Sequence, residues 1–239
     1  MTTKLHVMSG GAAQGLVGGL ADAFRAASGH EIAASFGAVG AMKERLLSGA
    51  AADLVILSQG MVADLMREGQ LADGSEIDIG VVYTGLAVRS GDPVPPVGDA
   101  AALRDALQAA DAIYFPDPAT ATAGIHFTKV MRQLGIANEV APRVRNFPNG
   151  HAAMTAMAVL CGGRPIGCTQ TTEILGVPGV ELAGLLPHEF ELATIYTAAV
   201  TRRAAHPDAA RRFAEMLAAD ASATLRERLG FNGTRNPQQ

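Results

Sequence analysis

Polar side chains that could bind an anion and move a proton occur at two places in the second half of the chain. Asn149, Gly150 and His151 stand at a predicted turn–helix junction, and Thr169 and Gln170 end the next predicted strand. Histidine titrates near neutral pH, so His151 could pair with a carboxylate or act as a general acid or base. Two ordinary roles stay open: His151 as a solvent-facing residue of a first helical turn, and Gln170 as part of a helix cap.

Short glycine-containing turns follow several other predicted strands. A turn that leads into a helix presents unpaired backbone N–H groups and the positive end of the helix dipole, and glycine allows a ligand to approach closely. Each glycine could serve a tight connection alone, but several such turns at the carboxyl ends of strands favour a ligand site. The residues that we expect at this site are Ser9, Gly10, Gly11, Ala12, Val39, Gly40, Ala123, Gly124, Asn149, Gly150, Thr169, Gln170 and, as the catalytic candidate, His151.

The elements that must position these residues alternate between strand and helix. Apolar residues recur every three or four positions over Gln14–Ser28, which predicts a helix that Gly29 terminates. The apolar run Asp53–Leu57 indicates a buried parallel strand. The same strand–helix alternation returns in a second block that ends near Thr169. The pattern therefore predicts an α/β fold with crossover helices.

A late predicted strand, Glu191–Val200, is followed by two predicted helices, Pro207–Ala219 and Ala221–Leu229. This order indicates that the chain returns to its first half after completing the second. We expect one lobe to comprise residues 1–83 and 196–239, and the other to comprise residues 84–195.

Composition limits the partners and cofactors. Hydrophobic residues make up 49% of the 239 residues, enough for packed cores, and the net charge of -4 argues against nucleic acid or an anionic membrane as partner. Cys161 and Cys168 are the two cysteines, which we expect to be reduced, although a disulfide between them is conceivable. We expect no metal, because neither a second cysteine pair nor a suitable histidine spacing accompanies them.

The amino terminus runs from Met1–Lys4 directly into an apolar alternating segment, with no basic region or long apolar stretch before it. The sequence as written therefore predicts a cytoplasmic protein, or a periplasmic one if a signal peptide has been removed. No stretch is apolar enough to predict insertion into a membrane.

Several segments together, in order and spacing, resemble a known family over nearly the whole chain. They are Lys4–Ala12, Ser35–Gly37, Ala52–Ser58, Asp117–Pro118, Ala123–Ile125, Arg164–Gly167, Arg212–Ala214 and Leu229–Phe231. The family is that of bacterial solute-binding proteins related to molybdate-binding protein, including aconitate-isomerase-like members. The resemblance implies the type 2 periplasmic-binding-protein fold, in which two Rossmann-like lobes hold a ligand in a cleft and close on it by hinge motion.

The chain departs from the molybdate binders of that family at the expected site. Ala12 and Gly40 occupy the positions where those proteins place serine hydroxyls, and Gln170 occupies the position of a tyrosine. Ser9 and Ser35 lie nearby, but a few residues early. Fewer donors and more space favour an organic anion larger than molybdate.

Two functions fit these features. One is a cofactor-independent isomerase of the aconitate-isomerase type, which moves a proton within a di- or tricarboxylate. The other is a substrate-binding protein that, if exported, delivers a small organic anion or a molybdate-like oxyanion to an ABC permease. A third function, a cytosolic ligand sensor, has less support because the sequence has no DNA-binding appendage. We favour the isomerase, with His151 as its proton carrier, because that function accounts for both the absent leader and the changed turns. Against it, the sequence offers no obvious carboxylate base with a paired partner. Binding proteins of this kind usually act as monomers, and we expect a monomer here.

Overall fold

The computed structural model describes residues 3–232. The chain divides into two compact units: one runs to Val82 and resumes at Thr194, and the other is Tyr83–Ala193. The boundaries expected from the sequence differ from these by one residue at the first crossing and by two at the second. Residues 1–2 and 233–239 of the expected first lobe lie outside the described residues.

Strands and helices alternate along most of the chain. The strands are β1 (Thr3–Gly10), β2 (His30–Gly37), β3 (Leu54–Ser58), β4 (Ile77–Arg89), β5 (Ala112–Pro116), β6 (Val144–Phe147), β7 (Pro165–Gln170), β8 (Val180–Leu185) and β9 (Ala193–Val200). The helices are α1 (Gln14–Ser28), α2 (Val39–Leu47), α3 (Gln59–Arg67), α4 (Ala100–Ala109), α5 (Thr122–Gln133), α6 (Ala137–Val140), α7 (Gly150–Ala158), α8 (Thr171–Leu175), α9 (Pro207–Ala218) and α10 (Ala223–Arg228). The expected mixed α/β architecture is confirmed.

In the first unit, β1 lies in the sheet between β2 and β3 and is parallel to both, and β9 runs antiparallel to β3. The apolar run Leu54–Leu57 is fully buried, as expected for a strand covered on both faces. Helices α1 and α9 contribute Phe24 and Phe213, whose ring centroids are 4.7 Å apart in the core.

In the second unit, β5 pairs in parallel with both β6 and β7, and β4 runs antiparallel to β7 and β8. Phe115 and Phe127 pack edge to face in the core, with ring centroids 5.4 Å apart. Cys168 of β7 is buried and Cys161 is exposed, and both are free thiols. The parallel pairing brings the carboxyl ends of β5, β6 and β7 to one edge of this sheet.

Glycines in the left-handed conformation end two of the helices. Gly29 has a φ of 72° and follows α1, whose bounds match the predicted helix Gln14–Ser28. Gly135 has a φ of 76° after α5. Left-handed backbone of this kind is least costly for glycine, which is why both helices stop there. Over residues 3–232, no helix has the length and apolar character needed to cross a membrane.

Candidate functional site

One edge of the first unit's sheet carries the turns after β1 and β2. Strands β1 and β2 are parallel and paired as far as Gly10 and Gly37, so the two connections that follow them leave the sheet side by side. A 3-10 turn over Gly11–Ala13 leads into α1, and Ala38 leads into α2. Neither helix has a side-chain cap from its N-cap residue, so this edge presents backbone N–H groups of two helix starts.

The side chains at this edge belong mainly to the core. Ala12 and Val39 pack in the hydrophobic cluster of the first unit, so their contribution to a ligand site is limited to backbone groups. A Cβ added at Gly10 would lie 2.7 Å from Val39 and 3.0 Å from the Tyr196 ring, so packing alone requires glycine there. The hydroxyl of Ser9 is buried and donates to the Gly10 carbonyl at 2.8 Å. Gly11 is buried in the 3-10 turn after β1, and Gly40 is half-buried in the first turn of α2.

The corresponding edge of the second unit lies after β5, β6 and β7. Ala123 and Gly124 are in the first turn of α5, and a Cβ at Gly124 would clash with the carbonyl oxygens of Pro116 and Asp117. The Asp117 carboxylate accepts hydrogen bonds from the Ala119 and Thr120 backbones, both at 2.8 Å. These contacts give Gly124 and Asp117 structural roles in the loop.

Helix α7 begins with the residues predicted to bind the ligand. The Asn149 side chain caps the helix, its Oδ1 accepting from the Ala152 N–H at 2.8 Å. The His151 carbonyl accepts from the Thr155 hydroxyl at 2.8 Å. The His151 residue is half-buried, and its imidazole has no hydrogen-bond partner within residues 3–232. The ring is therefore free to contact a ligand or exchange a proton.

A buried carboxylate that the sequence analysis did not identify joins these segments. Glu173 of α8 is 6% exposed, and its Oε2 accepts a hydrogen bond from the Thr169 hydroxyl at 2.5 Å. The backbones of His151, Gly150 and Gln170 also donate to this carboxylate. The sequence analysis, which found no obvious carboxylate base with a paired partner, did not single out this buried and hydrogen-bonded residue.

Competing effects act on the Glu173 carboxyl. Burial raises its pKa above the ordinary value, because a charge is poorly solvated in the interior. The hydrogen bonds from Thr169 and from the backbones of His151, Gly150 and Gln170 act in the opposite direction and lower it. Burial is the larger effect, so the pKa is raised.

Glycine is required at position 150 by this carboxylate. A Cβ added to Gly150 would clash with the Thr169 hydroxyl oxygen and with Glu173 Oε2. The Gly150 backbone therefore packs closely against the Glu173 carboxylate, whereas the sequence predicted that it would lie close to a ligand. The spacing from Gln170, the N-cap of α8, to Glu173 three residues later is that of a capping box, and this signal could have identified the residue.

Two hydroxyl groups in the second unit are buried without a partner. Thr84 is 1% exposed and Thr172 is 7% exposed, and no group in the described part of the chain accepts from or donates to either hydroxyl. Thr84 lies opposite Gln170 in the β4–β7 pairing, and Thr172 follows two residues after Gln170. Buried polar groups are normally hydrogen-bonded, so unpartnered hydroxyls around Gln170 are candidates for contact with a ligand.

The residues described do not assemble a metal site. Over positions 3–232, no group of three or more histidine, cysteine, aspartate or glutamate side chains is placed to hold an ion. The donors that the two sheet edges do present are backbone N–H groups, hydroxyls and one imidazole. This donor set suits a small anion held by hydrogen bonds.

The fold and the donor-rich strand ends define a small-ligand-binding protein of the type 2 periplasmic-binding-protein class. A family model described as bacterial extracellular solute-binding protein matches residues 5–232. The chain therefore belongs to the bacterial extracellular solute-binding protein family. The family and fold class indicated by the sequence motifs are confirmed.

Individual relatives extend the comparison. Aconitate isomerase from a Pseudomonas species is 28% identical over 235 residues, covering 96% of this chain and 87% of that protein. The periplasmic molybdate-binding protein of Azotobacter vinelandii superposes with a TM-score of 0.79 at 18% identity, covering 97% of this chain and 100% of the other. The sulfate-binding protein of Mycobacterium tuberculosis has a TM-score of 0.74 at 18% identity, covering 98% and 88%. At this identity the two structures establish the fold alone.

Proposed function

We propose that the chain binds a small di- or tricarboxylate at donor-rich strand ends and isomerises it by proton transfer. The observation that carries the proposal is the relative named aconitate isomerase, which aligns with 96% of this chain. The chemistry of the described strand ends agrees with that activity in two respects: the anion donors, and an imidazole with no hydrogen-bond partner within residues 3–232.

The binding half of the proposal rests on the donors. Backbone N–H groups at the starts of α1 and α2 suit carboxylate oxygens. The buried hydroxyls of Thr84 and Thr172 add donors that have no partner within residues 3–232. Ala12 and Gly40 supply no side-chain hydroxyl at these helix starts.

The catalytic half rests on His151. In an isomerisation of the aconitate type, a base takes a proton from the methylene group beside the alkene. The electron pair then delocalises across the alkene, and a proton is returned to the carbon at its far end. The double bond moves, and no atom is gained or lost. The imidazole of His151 could accept the first proton and, as imidazolium, return it.

A second candidate function follows from the family description. The family is described as extracellular solute-binding, and the same donors could hold a solute without converting it. In this case the chain would be exported and would deliver a small anion to an ABC permease. Tight binding without conversion distinguishes this function from isomerisation.

The experiment that tests the proposal is incubation of the protein with cis-aconitate, and separately with trans-aconitate, while proton NMR follows both isomers. We expect the two mixtures to converge on one equilibrium ratio at a rate proportional to protein concentration. Stoichiometric binding of either isomer with no interconversion would reject the isomerase and support the transport role. Neither binding nor interconversion would reject a polycarboxylate ligand of this type.

A further inference from the structure

We infer that Glu173 is a positioning residue, whose carboxylate holds the start of α7, carrying His151, against the end of β7, carrying Gln170. The inference deepens the proposed function and rests on it, because it assigns a residue that orients the proposed proton carrier. Glu173 itself is not assigned a contact with the substrate.

The contacts of Glu173 exceed what a helix cap requires. A capping residue at the third position of α8 needs to reach only the N–H of Gln170, the N-cap residue. The Glu173 carboxylate also accepts from the Thr169 hydroxyl and from the backbones of Gly150 and His151, which belong to a different helix. One side chain therefore ties together segments about twenty residues apart in sequence.

Burial strengthens the hydrogen bonds that Glu173 accepts from β7 and α7. Glu173 is 6% exposed and Thr169 is fully buried, so water competes little for their hydrogen bond. Gly150 lies so close that a Cβ would clash with Glu173 and Thr169. The first turn of α7, and with it the His151 side chain, is consequently held at a defined distance from β7.

The charge of the carboxylate also has a consequence for the site. The start of α7 carries the positive end of that helix's dipole, which Glu173 offsets. Because Gly150 and His151 already donate to Glu173, a ligand at this edge is left with side-chain donors such as the His151 imidazole and the Thr172 hydroxyl.

The first test is the kinetics of Glu173→Gln with cis-aconitate. This substitution keeps the side-chain length but turns an amide NH2 towards N–H donors. We expect kcat to fall about 100-fold, as for a small displacement of a reacting group, while KM changes far less. Asp117→Asn is the matched control, because Asp117 also accepts two backbone N–H bonds in the same unit; it should retain the wild-type kcat. A wild-type kcat in Glu173→Gln would overturn the inference.

The second test does not depend on turnover. In 15N-labelled protein, the amide protons of Gly150 and His151 should move upfield in Glu173→Gln, because a charge-assisted hydrogen bond is lost. Unchanged amide shifts would overturn the inference whether or not the protein is an enzyme. If wild type neither binds nor converts aconitate, the proposed function fails, and these shifts alone decide whether Glu173 holds α7.

A second variant covers the case in which Glu173→Gln does not fold. Thr169→Val removes one donor from the same carboxylate and leaves its charge in place. We expect the same split, a lower kcat with a nearly unchanged KM, because the carboxylate loses the contact that holds it to the end of β7. Wild-type kinetics in Thr169→Val would then count against the inference.

Discussion

The hydroxyl of Thr169 donates a 2.5 Å hydrogen bond to Glu173, one turn later in the chain, where both residues are buried. Thr172, between them, is also buried, but its hydroxyl has no partner within residues 3–232. Of these two buried threonines, Thr169 has a hydrogen-bonded hydroxyl and Thr172 does not. This contrast separates a side chain that stabilises the fold from one that is available to a ligand.

Valine substitutions at these two positions should have opposite effects on stability. Thr169→Val leaves a buried carboxylate short of a donor and should reduce the free energy of unfolding by about 1–3 kcal/mol. Thr172→Val removes an unpartnered buried hydroxyl and should be neutral or stabilising, while weakening binding of cis-aconitate. Urea unfolding and calorimetric titration measure the two effects. Equal destabilisation by both variants would contradict the assignment of Thr172.

Gly150→Ala should destabilise the second unit. The new methyl group would clash with Thr169 and Glu173, and overpacking of this kind costs about 1–3 kcal/mol. Gly98→Ala is the matched control in the same unit, since no atom lies within 4 Å of its added Cβ. Urea unfolding of both variants should show a loss at Gly150 and no loss at Gly98. An unaffected Gly150→Ala protein would disprove the close approach.

The raised pKa of Glu173 predicts a pH dependence of stability. Burial is the main cause of the shift, so the folded chain holds this proton more tightly than the unfolded chain does. Between the ordinary and the raised pKa the folded state binds more protons, so its stability falls as pH rises through that interval. The difference in unfolding free energy between wild type and Glu173→Gln, measured in urea across a pH series, should change in this direction. A difference that grows in favour of wild type with rising pH would contradict it.

His151→Ala should lose turnover and keep its fold. Removal of a general acid–base group typically lowers kcat about 100-fold or more. The His151 imidazole has no hydrogen-bond partner in the described chain, so its loss should change the unfolding free energy little. His126→Ala is the control: its Nε2 lies 2.7 Å from the Phe190 carbonyl oxygen, so it should lose stability but retain turnover. Wild-type kcat in His151→Ala would remove His151 from the mechanism.

Local sequence patterns identified most of the fold, because most elements carry their own signal. The periodic run over Gln14–Ser28, closed by Gly29, matched α1 at both ends. Strand β8 (Val180–Leu185) was not predicted; it is short, contains Gly184 and is recruited by pairing with β4, some ninety residues earlier. Helix α8 was expected only as the helix that Gln170 would cap; it is five residues long and directly follows β7.

The candidate functional site was harder to predict than the fold, because local patterns do not show which groups hydrogen-bond to one another. Glycine and polar residues marked the right turns, but their spacing did not reveal which donors the protein itself uses. Asn149 caps its own helix, and the Thr169 hydroxyl and the Gly150 backbone contact Glu173. Only the three-dimensional path of α7 past β7 brings that carboxylate to them.

The most direct measurement of the central claim is a thermal-shift comparison of one protein preparation with cis-aconitate, citrate, sulfate and molybdate. A ligand at about 100 times its dissociation constant stabilises the folded state by about 2.7 kcal/mol, which raises Tm by several degrees. We expect that shift with the polycarboxylates and little change with the two inorganic oxyanions. A shift with molybdate or sulfate and none with either polycarboxylate would contradict the claim that this chain recognises an organic polycarboxylate.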